Sequence, residues 1–278
     1  MPAAVVPKDV DFQHAPFPAK KCRVVVPAHF NATAAFVVCV FLHGRTVEGT
    51  PFENHIVAAS AQMDDTETNA VLVAPRFDAT VEPGAFADPT AFSKFIAELE
   101  QVLPSLLPTT VADNAKAAIG RYAANWAPLA IVAYSGGWQP LNAIVKGLLS
   151  AAGSAMGCTD RVVALQLLDS IYGPTSSSGP FDWQQKKGSQ SALLSIYGRK
   201  TGDNAKVSNL ALIEKLKPMG LVTALTDATK LTALAAGAVT FLEVETPHLD
   251  LPRQGPPKSP IAAFLTLIED RLAAFASV

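Results

Sequence analysis

Leu129-Ala130-Ile131-Val132-Ala133-Tyr134-Ser135-Gly136-Gly137-Trp138-Gln139-Pro140 decides how the rest of the chain is read. Six apolar residues run without interruption and stop at a serine, which predicts a buried strand ending at Ser135. Two glycines follow, then Pro140 in a position suited to a first helical turn. Leu141, Ile144, Val145, Leu148 and Leu149 then recur at helical spacing. The unit is strand, tight turn, helix. Small residues at Ala133, Gly136 and Gly137 let the backbone pass through a sharp corner and leave the Ser135 hydroxyl exposed.

With its flanking strand and helix, this stretch resembles the nucleophile elbow of the α/β-hydrolase family, Gly-x-Ser-x-Gly, with Ala133 in place of the first glycine. The resemblance implies a mostly parallel central sheet with helices on both faces and a small cap or none. It also implies a nucleophilic serine, an acid and a histidine in that chain order. The bare pentapeptide also fits an ordinary Ser-Gly-Gly turn after a buried strand, so the surrounding pattern has to carry the reading.

That pattern alternates. Strands are expected at Val10–His14, Lys20–Pro27, Ala35–Leu42, Ala70–Pro75, Arg161–Leu168, Ala192–Tyr197 and Ala238–Val244, and helices at Asn54–Met63, Asp88–Leu107, Asp113–Trp126, Lys206–Leu216, Asp227–Ala236 and Ile261–Phe275. Asp88-Pro89 reads as an N-cap followed by a first-turn proline. Residues 173–191 shift to Gly, Pro, Ser and Gln, the composition of a loop insertion or lid. No repeat is visible, and the 278 residues read as one α/β domain, 1–278.

Sites in such sheets lie at the carboxyl ends of the strands, which directs attention to His43, Ser135, Asp169 and His248. A serine hydroxyl needs a base within hydrogen-bond reach. Of five histidines, His248 alone follows the last expected strand, and the family resemblance puts the base on that loop. Two acids compete. Asp169 directly ends an apolar strand; Asp203 follows the next strand, where most of the family keeps its acid, at a longer spacing from Gly198 than usual. Asp169 is preferred and Asp203 is the alternative.

Family analogy also assigns the oxyanion hole to the amides of Gly136 and Arg45, with Gly44 letting the backbone turn, since His43-Gly44 matches the family's His-Gly after that strand. His43, Trp138 and Tyr134 are candidate pocket residues, and His43 is read as a structural hydrogen-bonder rather than a base. Phe52, Phe77, Phe86, Phe181 and Trp183 fit either a pocket lining or core under a loop.

Composition narrows the function. Hydrophobic residues make up 49% and charged residues 17%, enough for a large core, and the net charge of −2 leaves no footprint for nucleic acid. The three cysteines, Cys22, Cys39 and Cys158, read as packed or free thiols, with a Cys22 to Cys39 bridge as the lesser reading. No apolar run reaches the length of a membrane span. Met1–Asp9 lacks a basic-then-apolar signal pattern, which favours a cytoplasmic setting, with a secreted mature form as the alternative. No P-loop, His-x-x-x-His or Gly-x-Gly-x-x-Gly pattern appears. The expectation is a serine hydrolase without metal or cofactor, acting on a small-molecule ester or amide through an acyl-enzyme. An amidase, peptidase or acyltransferase would use the same residues, and the alternative from another class is a non-catalytic ligand-binding member of the fold.

Overall fold

The computed structural model describes residues 8–12, 21–31, 34–45, 52–77, 86–106, 127–155, 157–199, 204–235, 237–252 and 259–270. Five strands, β3 (Val37–Leu42), β4 (Ala70–Pro75), β5 (Leu129–Tyr134), β6 (Val162–Leu168) and β7 (Ala192–Gly198), are buried at every residue. That is why they appear in the sequence as unbroken apolar runs: both faces are covered. They are flanked by β1 (Lys8–Asp11) and β2 (Lys21–Val25) on one side and by β8 (Val222–Leu225) and β9 (Val239–Val244) on the other. Among the described residues the nine strands form one sheet in the order β1-β2-β4-β3-β5-β6-β7-β9-β8. The pairings β1–β2 and β2–β4 are antiparallel and all others parallel.

Alternation along each strand feeds two cores. Val38, Val40 and Leu42 of β3 pack with Phe92, Phe95 and Ile96 of α2 (Ala91–Leu106) and with Leu141, Ile144 and Leu148 of α3 (Trp138–Leu149). Val37, Cys39 and Phe41 pack on the other face with Ile56 and Met63 of α1 (Phe52–Asp64). Ile261, Phe264 and Leu265 of the last helix (Pro260–Leu267) join them there. Cys22 belongs to the first core and Cys39 to the second, so the sheet separates them; both are free and buried, as is Cys158. The bridge between Cys22 and Cys39 is thereby corrected.

Two expected elements differ. Residues 173–191, expected as a loop or lid, contain the helix α4 (Pro174–Lys187). Its polar composition hides its anchors: Trp183 is fully buried, Phe181 nearly so, and the Asn142 side chain of α3 accepts a hydrogen bond from the Gly179 amide at 2.8 Å. Packing on α3 overrides weak local preference. The helix expected at Asp227–Ala236 is a single 3₁₀ turn, Ala228–Lys230, after the edge strand β8. Asp227 accepts from the Thr229 amide at 3.0 Å and from its hydroxyl at 2.7 Å, a local turn that competes with helix. Leu234 is the one residue from 227 to 235 that is buried, too small an apolar face to hold a longer helix. The expected helix Asp113–Trp126 lies outside the described residues.

Candidate active site

Ser135 leaves β5 with φ +50, in a 3₁₀ turn over Ser135–Gly137 that runs directly into α3. A left-handed backbone at a residue with a side chain is strained, by roughly 1–3 kcal/mol, and persists only where surrounding packing holds it. Here the corner is pressed against the end of β3. A Cβ on Gly137 would lie 2.2 Å from the Leu42 carbonyl oxygen, and one on Gly44 would lie 2.8 Å from Ser135 Cβ. Those two glycines let the loop after β3 touch the serine. Gly136 and Gly137 belong to the 3₁₀ turn that leads into α3, and the first N–H groups of a helical turn have no acceptor within it.

Asp169 ends β6 with φ +47 and is 1% exposed. Its backbone is tied down: its own amide donates to the Ile196 carbonyl at 2.8 Å, and the hydroxyl of Ser170 donates to the carbonyls of Ala133 at 2.8 Å and Leu168 at 3.0 Å. Asp169 Oδ1 accepts a long hydrogen bond from the Gly198 amide at 3.4 Å, and Oδ2 lies 2.6 Å from His248 Nδ1.

His248 begins a 3₁₀ turn four residues after β9, and its Nε2 lies 3.0 Å from Ser135 Oγ. The carboxylate accepts at Nδ1–H, which makes Nε2 the acceptor for the serine hydroxyl. Tyr134 supports the ring: the two side chains stack at 5.2 Å and 26°, and the Tyr134 hydroxyl donates to the His248 carbonyl at 3.2 Å. To reach Asp169 from β9 the His248 loop must cross the end of β7. Gly198 sits under that crossing, where a Cβ would come within 3.3 Å of the Thr246 carbonyl oxygen. Of the two candidate acids, Asp169 is thus the one in contact with the histidine, and Asp203 lies outside the described residues.

The pocket candidates separate. His43 and Tyr134 are 0% and 2% exposed and present almost no surface to a ligand, which corrects their expected place in a pocket lining. His43 instead joins two loops: its Nδ1–H donates to the Gly44 carbonyl at 2.7 Å, and its Nε2 accepts from the Phe77 amide at 3.0 Å. Burial pushes its imidazole down to about 3, against the Gly44 hydrogen bond, which raises it; His55 and Arg76 nearby lower it further. Phe52, Phe77, Phe86, Phe181 and Trp183 are all core. Trp138 is half-buried and lines a cleft of about 440 Å³ with Gln139, Asn142, Ala143, Lys146 and Gly147 on one face of α3, opposite Ala87 and Pro89. Arg45 is exposed, next to Gly44. Tyr172, which sequence reasoning missed, brings its hydroxyl to 3.4 Å from Ser135 Oγ. Its place three residues after the strand-ending Asp169 was the available signal. Among the described residues no group of three His, Cys, Asp or Glu side chains converges in a way that could hold a metal ion, and no helix is long and apolar enough to cross a membrane.

No protein-family model matches the sequence, and no curated protein matches it. A solved esterase/lipase from an uncultured bacterium is similar over 98% of this chain and 86% of its own, with a TM-score of 0.51 and 12% identity. The protein has the α/β-hydrolase fold. Two other solved structures are similar over nearly the whole chain. An esterase from Pseudomonas putida is 14% identical over 99% of this chain and 83% of its own, with a TM-score of 0.49. A lidless serine hydrolase from Xanthomonas campestris is 13% identical over 100% and 94%, with a TM-score of 0.41. At such identities the likeness concerns the α/β-hydrolase fold and leaves function to the site.

Proposed function

We propose that the protein is a serine hydrolase that cleaves a small-molecule ester through an acyl-enzyme. The observation that carries this reading is the unbroken relay from Asp169 Oδ2 to His248 Nδ1 at 2.6 Å and from His248 Nε2 to Ser135 Oγ at 3.0 Å. Both bonds fall in the range that general-base activation of a serine requires. Exposure supports it too: the Asp169 side chain is 1% exposed and that of His248 29%, so the carboxylate is dry while the base remains reachable.

In this reading Ser135 Oγ attacks the carbonyl carbon as its proton passes to His248 Nε2. Asp169 keeps Nδ1 protonated and stabilises the imidazolium that forms. Charge on the carbonyl oxygen is met by the amides of Gly136 and Arg45, which Gly44 allows to come close; one such donor is worth about 10²- to 10³-fold in rate. His248 then protonates the leaving oxygen, and water repeats the sequence on the acyl-enzyme. An ester is favoured over an amide because the solved protein of this fold from the uncultured bacterium is an esterase/lipase.

Intact-mass detection of a fluorophosphonate adduct tests the proposal. One stoichiometric adduct on the purified protein, absent from Ser135→Ala, is the expected result. A wild-type protein that forms no adduct, or a Ser135→Ala variant that still forms one, overturns it.

A further inference from the structure

Ser135 stands at the end of β5, between two neighbours in the sheet. On one flank is β3, whose following loop brings Gly44 against the serine; on the other is β6, followed by Asp169 and Tyr172. In the reading above, the β3 flank carries the Arg45 oxyanion donor. The β6 flank holds Tyr172, whose hydroxyl is 3.4 Å from Ser135 Oγ and whose ring meets the His248 imidazole edge-on at 6.4 Å and 77°.

The backbone on either side of Tyr172 fixes where its side chain leaves the chain. Asp169, Ser170 and Ile171, the three residues before it, are all essentially inaccessible, and Gly173 at φ +134 turns the chain into α4 directly after it. Tyr172 itself is 38% exposed, at the solvent side of the relay. The hydrogen-bond directions follow from the neighbours. Asp169 accepts from Nδ1–H and Nε2 accepts from Ser135 O–H, so the polar proton of Tyr172 is the one aimed at Oγ. At 3.4 Å this bond is long, and a weak bond of that length is readily exchanged for a shorter one to a better acceptor.

Resting on the serine-hydrolase reading, we infer that Tyr172 donates a hydrogen bond to the leaving-group oxygen, and that the site is suited to esters of unactivated aliphatic alcohols. The departing oxygen must lie within reach of His248 Nε2 to receive its proton, and Tyr172 flanks both His248 and Ser135 on that side. When the tetrahedral intermediate collapses, the bond from the carbonyl carbon to the alcohol oxygen breaks and its electron pair goes to that oxygen. The proton on His248 Nε2 moves to the same oxygen, and the carbonyl re-forms as the Ser135 acyl ester. Tyr172 shares its proton throughout and keeps it. An aliphatic alkoxide carries far more charge at this point than a nitrophenolate does, so the donor matters for the first and little for the second.

Tyr172→Phe keeps the ring and removes the donor. The fluorophosphonate adduct is scored first on wild type and variant. Next, kcat/KM, which reports acylation, is measured for the ethyl and 4-nitrophenyl esters of one acid, the acid chosen as the fastest in a 4-nitrophenyl ester panel. The expected result is an adduct on both proteins, a loss of about tenfold on the ethyl ester, the worth of one hydrogen bond, and less than about twofold on the nitrophenyl ester. A wild-type protein without an adduct overturns the hydrolase reading and this inference with it. An adduct accompanied by equal losses on the two esters, by no loss on either, or by no wild-type turnover of the ethyl ester overturns this inference alone. A variant that melts below wild type and loses both activities equally counts with the equal losses.

Discussion

Asp169 Oδ2 and His248 Nδ1 meet at 2.6 Å although 79 residues separate them in the chain. The strand that delivers the histidine lies two places from the one that delivers the acid, since the sheet runs β6-β7-β9. The His248 loop therefore folds back across the carboxyl end of β7 to bring the imidazole over Asp169.

Replacing that acid by its amide tests its role directly. Asp169→Asn keeps the shape of the side chain but can present N–H to Nδ1, which favours the wrong tautomer. The expected outcome is a fold that melts near wild type and a kcat lowered by about 10⁴-fold, the size of this effect in serine proteases. Steady-state kinetics on any ester the wild type cleaves would show it. A kcat within tenfold of wild type would remove Asp169 from the relay.

The corner beneath the serine is set by Gly137. A methyl group there would lie 2.2 Å from the Leu42 carbonyl oxygen, a backbone atom that cannot swing away. Gly137→Ala is expected to cost about 3 kcal/mol or more, the upper range of overpacking. Gly44→Ala meets Ser135 Cβ at 2.8 Å and the Tyr134 ring at 3.2 Å, so it should disturb labelling of the serine more than it disturbs melting. Thermal melts and fluorophosphonate labelling rates on the two variants separate these effects, and a Gly137→Ala protein as stable as wild type would refute the close packing.

His43 makes stability depend on acid. Its ordinary value of 6.5 is pushed down to about 3 in the folded protein, burial being the largest cause. Between those values the unfolded chain binds a proton that the folded one refuses. The contribution is complete above about pH 6.5 and is lost as pH falls toward 3, with a slope of up to about 1.4 kcal/mol per pH unit. Urea midpoints from pH 7 to pH 4 should decline less steeply for His43→Gln than for wild type. Parallel declines would show that His43 titrates normally.

Much of this architecture was legible in the chain. β3, β4, β5, β6 and β7 appear as apolar runs because every residue in them is covered on both faces, and burial of that kind is written residue by residue. The turn at Ser135 shows itself through the small residues a sharp corner demands, and His248 through its place after the last strand. What was illegible depends on neighbours distant in sequence. The helix Pro174–Lys187 looks like loop because its anchors, Trp183, Phe181 and the hydrogen bond from Gly179 to Asn142, matter only once α3 lies beside it. The edge strand Val222–Leu225 is short and half-covered, and it exists because β9 offers it a partner.

The sequence by itself thus determined which segments are strands through the core, where the chain must turn sharply, and which serine and histidine stand at strand ends. Only the tertiary structure decided that Asp169 meets the histidine, that His43 is sealed away from any ligand, and that a tyrosine hydroxyl reaches the serine. Local pattern records whether a side chain is covered. Which side chains share one site follows from the order of strands in the sheet, and that order is settled by pairing and packing across the whole chain.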